Sequence, residues 1–258
     1  YLGQTRLSKK WKPAAGGKEV GRYQPLPPGL FVYYEPAVLD APRRPEIFES
    51  REKLVVQEIR NITLFRRIIA TYDDNQFYCL QSTNVINLLE PEGAHRLKFL
   101  LGVLNSEAAN FFFRLKFPGN NHIPSNQLSE IPIPKAEPDA QSIVEGLVTL
   151  ILSINRHFAD HPAAQTPHDT AMLAYWERIL NGLVYELYFP EEVHGAGLGL
   201  FDLVAAAELP DLNTIPEAQR LRRLREQYET LQAPDHPLRQ ALDKLQTLET
   251  VKIIEGKG

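Results

Sequence analysis

One cysteine in 258 residues, Cys79, excludes an internal disulfide framework and any cysteine-based zinc site. It reads as a small buried hydrophobe, and a lone thiol fits a reducing, cytoplasmic compartment. No stretch approaches the roughly 20 consecutive apolar residues that a membrane span needs, and no signal-peptide pattern is present. Dinucleotide-binding GxGxxG, the Walker loop, HExxH and GxSxG are all missing.

The seven histidines (95, 122, 157, 161, 168, 194 and 236) are scattered without ligand-like spacing. His157 and His161 stand four apart, but no third ligand accompanies them, so they read as a helix C-terminal pair. Gly195-Ala196-Gly197-Leu198-Gly199 is glycine-rich. A phosphate cradle joins a strand to a helix, whereas this run follows a helix.

What is present is a charge asymmetry. Residues 1–135 carry 18 Lys+Arg against 13 Asp+Glu, net +5, while the remainder carries 10 against 19, net −9. A basic half joined to an acidic half suggests a polyanion-binding part and a part with another task. With 43% hydrophobic residues the chain can bury a core and is expected to fold as one large or two smaller domains. It begins at Tyr1 inside loop-like or strand-like sequence and reads as a fragment whose catalytic half lies upstream.

Residues 1–28, rich in Lys, Gly and Pro, read as an extended basic arm or loop. Strands are expected at Leu30–Tyr34, Lys53–Ile59, Arg67–Tyr72, Phe77–Leu80 and Thr83–Leu89. Asp73-Asp74-Asn75 is expected to turn a hairpin between the third and fourth of these. From His95 the period changes. Leu97, Leu100, Leu101, Leu104, Ala108, Phe111, Phe112 and Leu115 recur at helical spacing, predicting one long helix that Pro118-Gly119-Asn120-Asn121 ends. Phe111-Phe112-Phe113 reads as core packing against the sheet. Ile131-Pro132-Ile133-Pro134 forces extended backbone, followed by the linker AEPDAQ.

The second half is helical by pattern. Ile143 to Phe158 makes one apolar stripe, and Met172 to Leu187 another behind the capping candidates Thr166 and Asp169. Leu221 to Leu231 and Leu238 to Leu245 predict two further helices, separated by Pro234 and Pro237.

Without a catalytic constellation, the chemistry available is a surface for nucleic acid. Arg60-Asn61 and Arg66-Arg67 sit around the presumed hairpin. Arg114, Lys116, Asn120, Asn121 and His122 cluster at the end of the long helix and in the loop after it. Arg and Asn pair with guanine and adenine edges, and Lys mainly meets phosphate. Lys9, Lys10, Lys12 and Arg22 supply further phosphate contacts in the arm. A solvated basic face is the open alternative for all of these.

Four elements in order carry a resemblance: PRRPEIFESREKLVVQEIRN (42–61), IIATYDDNQFYCLQSTNVI (68–86), LKFLLGVLNSEAANFFFR (97–114) and LSEIPIP (128–134). Downstream, Ile179 to Phe189 contains LVYELYF. Together they resemble the TaqI-like C-terminal specificity domain, the target recognition domain of enzymes that fuse methyltransferase and endonuclease in one chain. The Asn-Pro-Pro-aromatic loop and cofactor glycine motif of adenine-type methyltransferases are absent here. Glu255-Gly256-Lys257, at a terminus expected to fray, makes no nuclease cluster.

The resemblance implies an α+β fold: a mixed or antiparallel sheet with a packed long helix, followed by a mostly helical C-terminal part. The domains would be an arm (1–28), a target recognition domain (29–138) and a helical spacer or docking region (139–258). It further implies double-stranded DNA as partner, together with upstream catalytic domains of the same chain, and no membrane. No cofactor belongs to this segment; S-adenosylmethionine, with Mg left open, belongs to the parent of a bacterial restriction–modification system. The competing reading is a helical protein–protein scaffold, with residues 140–250 docking other subunits.

Overall fold

The computed structural model describes residues 1–39, 42–89 and 96–257. The chain is α+β, with a strand-rich N-terminal region and a helical C-terminal part. It divides into two compact units: residues 1–97 with 113–131, and residues 98–112 with 132–258.

The first unit holds seven strands: β1 (Leu2–Gly3), β2 (Trp11–Ala15), β3 (Phe31–Tyr33), β4 (Lys53–Gln57), β5 (Ala70–Asp73), β6 (Tyr78–Cys79) and β7 (Thr83–Ile86). One sheet runs β1-β3-β2-β6 and is mixed, because β6 lies parallel to β2. The other runs β5-β4-β7 and is antiparallel throughout. β4 reads KLVVQ, an unbroken apolar run rather than an alternating one, as suits a strand covered on both faces. Leu54, Val55 and Val56 are accordingly fully buried. The core between the strands includes Ala15, Leu26, Val55, Ile69, Phe77 and Cys79. Tyr78 stacks within it, its ring 4.8 Å from both Tyr34 and Phe48.

The hairpin expected at Asp73-Asp74-Asn75 does not form. β5 pairs with β4 and β6 crosses to β2, so the two flanking strands lie in different sheets. The turn itself exists: Asp73 accepts the amides of Asn75 (2.8 Å) and Phe77 (2.9 Å). Gln76 then takes a left-handed backbone, φ 57°, which redirects the chain and lets Tyr78 reach its aromatic neighbours. Residues 1–28 differ from the expected arm as well. They supply β1 and β2, and Ala14, Ala15, Val20 and Tyr23 are buried. Cys79 is buried as expected, and burial pushes its thiol up to about 12.

The helices are α1 (Glu46–Glu49), α2 (Leu97–Leu104), α3 (Glu107–Lys116), α4 (Ser125–Leu128), α5 (Pro138–Asp160), α6 (Pro167–Tyr188), α7 (Pro190–Gly195), α8 (Leu200–Ala206), α9 (Glu217–Leu231), α10 (Pro237–Leu245) and α11 (Glu249–Glu255). The change of period read from His95 falls on a residue outside the described ones; α2 begins at Leu97.

The single long helix is in fact two. Its apolar stripe is continuous, but Asn105 and Ser106 interrupt the backbone ladder. Ser106 Oγ accepts the Ala109 amide (3.1 Å), an N-cap that restarts the helix, and Asn181 Oδ1 accepts the Glu107 amide (2.9 Å). Both Asn105 and Ser106 are buried. Of the three phenylalanines, only Phe113 is fully buried, its ring 5.0 Å from Phe117.

In the second unit α5 and α6 pack along the stripes read from sequence, burying Leu147, Ile151 and Ile154 on one and Met172, Trp176 and Ile179 on the other. Thr166 and Asp169 form a capping box. Four helices open on proline (Pro138, Pro167, Pro190, Pro237), where the missing amide removes no intrahelical bond. Pro138 thus starts α5 inside the expected linker. α9 and α10 are separate helices, as Pro234 and Pro237 foretold.

Candidate nucleic-acid interface

Past the end of β4 the backbone does not turn away. Arg60 N donates to Asn121 O (2.8 Å), Ile123 N donates to Glu58 O (2.6 Å), and Ile59 bridges His122 in antiparallel register. Two loops far apart in sequence, 58–66 and 117–123, are therefore laced together in the first unit.

The 58–66 loop is braced at each step. Asn61 Oδ1 accepts the Thr63 amide (2.9 Å), an Asx turn, and Leu64 N closes onto Asn61 O (3.2 Å). Asn121 Oδ1 accepts the Ile62 amide (3.1 Å). Arg60 spans the base of the loop, donating through Nε to Arg66 O (2.6 Å) and through Nη1 to Gln57 Oε1 (3.1 Å). Arg114, from α3, donates to Phe65 O (2.7 Å) and lays its guanidinium 3.8 Å over the Phe65 ring.

Arg67 behaves differently from its neighbour Arg66. It is 1% exposed, donates to Asn120 O and packs over the Phe113 ring at 5.7 Å. It is a strut inside the unit rather than part of a surface. Arg66, by contrast, is exposed at the mouth of the loop. Burial lowers the pKa of both Arg60 and Arg67, and in each case a neighbouring arginine lowers it further. The loops thus concentrate positive charge.

Seven of the expected residues meet here: Arg60, Arg66, Arg67, Arg114, Asn120, Asn121 and His122. Asn120 and Asn121 are both engaged, Asn120 Oδ1 accepting the His122 amide (2.9 Å). Lys116 pairs with Glu130 at 2.7 Å. The remaining expected residues are occupied elsewhere in the unit. Lys10 pairs with Glu35, Lys12 lies 3.3 Å from Glu49 Oε1 and over the Tyr78 ring, and Arg22 rests on the Tyr23 ring. Lys9 is exposed.

Sequence reasoning passed over Gln57, which holds Arg60, and took Asn61 for a base reader, whereas its side chain closes the loop's Asx turn. Beside the loop a groove of about 790 Å³ runs past Leu2, Tyr34, Ile59, Leu80 and His122.

In the second unit the glycine-rich run is the feature to weigh as a site. The glycine-rich run leads into α8, whose first amides are already taken: Glu186 Oε2 accepts from Leu200 N (2.6 Å) and Phe201 N (3.1 Å). Among the described residues no three His, Cys, Asp or Glu are grouped to hold a metal ion. No described helix is long and apolar enough to cross a membrane.

No curated protein matches the chain. Among solved structures, that of the Type IIL restriction-modification enzyme MmeI in complex with DNA is similar with a TM-score of 0.46 and 14% identity, covering 88% of this chain. The chain spans 31% of the length of that one. Strands β3 to β7, the laced loops and the restarted helix fall in the part of the sequence for which a family is found: residues 12–133 match the TaqI-like C-terminal specificity domain.

Proposed function

We propose that this chain is the DNA sequence-recognition region of a restriction–modification enzyme, setting double-stranded DNA before an adenine methyltransferase or endonuclease supplied by another part of the same protein. The observation that carries the reading is the braced, cationic loop pair on the segment that matches a specificity domain. Rigid loops projecting from a sheet are suited to base readout, because a group held in place loses little entropy on binding. Arg66 and His122 are exposed and stand as readers or phosphate contacts, with Lys116 at the flank. Arg60, Arg67, Arg114, Asn120 and Asn121 hold the loops in shape. The helical part, 139–258, serves as spacer or docking region. Any S-adenosylmethionine would bind outside this segment, in a cytoplasmic parent.

Fluorescence anisotropy with duplex DNA across a salt titration tests this. Binding should weaken steeply with salt, and Arg66→Ala should reduce the salt slope by about one while leaving stability within about 0.5 kcal/mol. Arg67→Ala should instead destabilise the fold by about 3 kcal/mol, through loss of a buried strut. Salt-insensitive binding, or none, would overturn the assignment.

A further inference from the structure

The 58–66 loop carries four large apolar side chains in water: Ile59 (54% exposed), Ile62 (42%), Leu64 (41%) and Phe65 (43%). They share a nine-residue segment with Arg60 and Arg66, and Arg114 covers one face of Phe65. Scattered exposed apolar residues need no explanation, but four of them within seven residues of one loop, interspersed with cations, do. The backbone beneath them is fixed by the Asn61 turn, by Asn121 and by the Arg60 brace. Flexible collapse of the loop onto its own apolar groups is therefore prevented.

Two uses on DNA fit an apolar tip: a wedge driven between base steps, or contact with methyl groups in the major groove. The exposures decide between them. A wedge stands clear of its surroundings, as Leu7 does at 73% exposed. These four are each about half covered and offer a low, broad apolar surface.

We infer that Ile62, Leu64 and Phe65, with Ile59 at the margin, contact thymine 5-methyl groups in the major groove, so that the chain reads thymine by its methyl group. The flanking cations supply the complementary charge, holding phosphates on either side while the apolar surface meets the groove floor. Glu58, at the base of the loop, faces the groove beside Ile59 rather than the tip. This inference rests on the DNA-reading role proposed above and adds the chemical group that is read.

The test is a pair of selections with the whole chain, one from random duplexes containing thymine and one from duplexes containing deoxyuracil, which lacks only the methyl. Duplexes enriched from the thymine pool should bind about fourfold more weakly for each contacted thymine replaced by deoxyuracil, the equivalent of one buried methyl. Ile62→Ser combined with Leu64→Ser should shrink that difference to what Phe65 and Ile59 contribute, whereas Arg66→Ala should weaken both duplexes alike. Enriched sequences that bind equally with thymine and deoxyuracil would overturn the methyl contact and leave DNA recognition standing. No enrichment from either pool would overturn both.

Discussion

Lys53 and Asp73 form an ion pair sealed inside the β4–β5 ladder, Nζ to Oδ2 at 2.6 Å with neither side chain more than 1% exposed. Their remaining polar capacity is used: Lys53 donates to Phe48 O (2.7 Å) and Asp73 receives the Asn75 and Phe77 amides. Burying two charges costs several kcal/mol, so the pair itself adds little net stability, but either member alone is costly.

Lys53→Met should therefore destabilise the chain by about 3–5 kcal/mol, because it strands a buried carboxylate. Adding Asp73→Asn to that variant should recover part of the loss, since an amide oxygen can still hold one of the two turn amides. Urea unfolding of both variants measures this. A loss below about 1 kcal/mol for Lys53→Met would contradict the pairing.

Acid should loosen the second unit at a definite place. Burial pushes the Asp169 carboxyl up, but hydrogen bonds from Arg225 and Thr166 outweigh it and hold it at about 2. Arg225 binds it through two nitrogens, at 2.7 and 2.8 Å. A folded pKa below the unfolded one gives stability that is complete above about pH 4 and lost as pH falls through about 2. Arg225 is partly exposed, and the contribution is accordingly about 1–2 kcal/mol. The stability gap between the native chain and Arg225→Gln should be present at pH 6 and closed at pH 2. A gap that persists at pH 2 would contradict this.

Gly102 sits within α2, where alanine would ordinarily gain about 1 kcal/mol. A Cβ there would meet Val144 at 3.0 Å, Val148 at 3.2 Å and Leu180 at 3.3 Å. All three neighbours are buried, so each would have to shift within a packed interior. Crowding should outweigh propensity, so Gly102→Ala should lower the urea midpoint, by about 1–2 kcal/mol in stability. A raised midpoint would show that the interface yields.

How much of this was legible follows from how local each feature is. The apolar stripe of α5, the Thr166–Asp169 cap and the break at Pro234 and Pro237 between α9 and α10 are fixed by residues within a turn or two, and each was read. The failures are non-local. Nothing near Asp73 announces that Tyr78 will join β2, because its ring packs against Tyr34 and Phe48, 44 and 30 residues away. The break at Ser106 lay hidden under a continuous apolar stripe, since the cap interrupts the backbone and not the hydrophobic face. At the candidate interface the sequence did not sort the expected residues into buried struts and exposed surface. Arg66 and Arg67 are indistinguishable on paper, and only the buried neighbour Phe113 separates strut from surface.

The 58–66 loop is held through its main chain: the Ile62 amide, the Phe65 and Arg66 carbonyls, and the Asn61 turn. None of those bonds uses the side chains of residues 62, 64 or 65. The tip is thus a socket with interchangeable fittings. Changing the side chains at 62 or 64 removes none of these hydrogen bonds, so the frame can keep its shape while its tip is refitted.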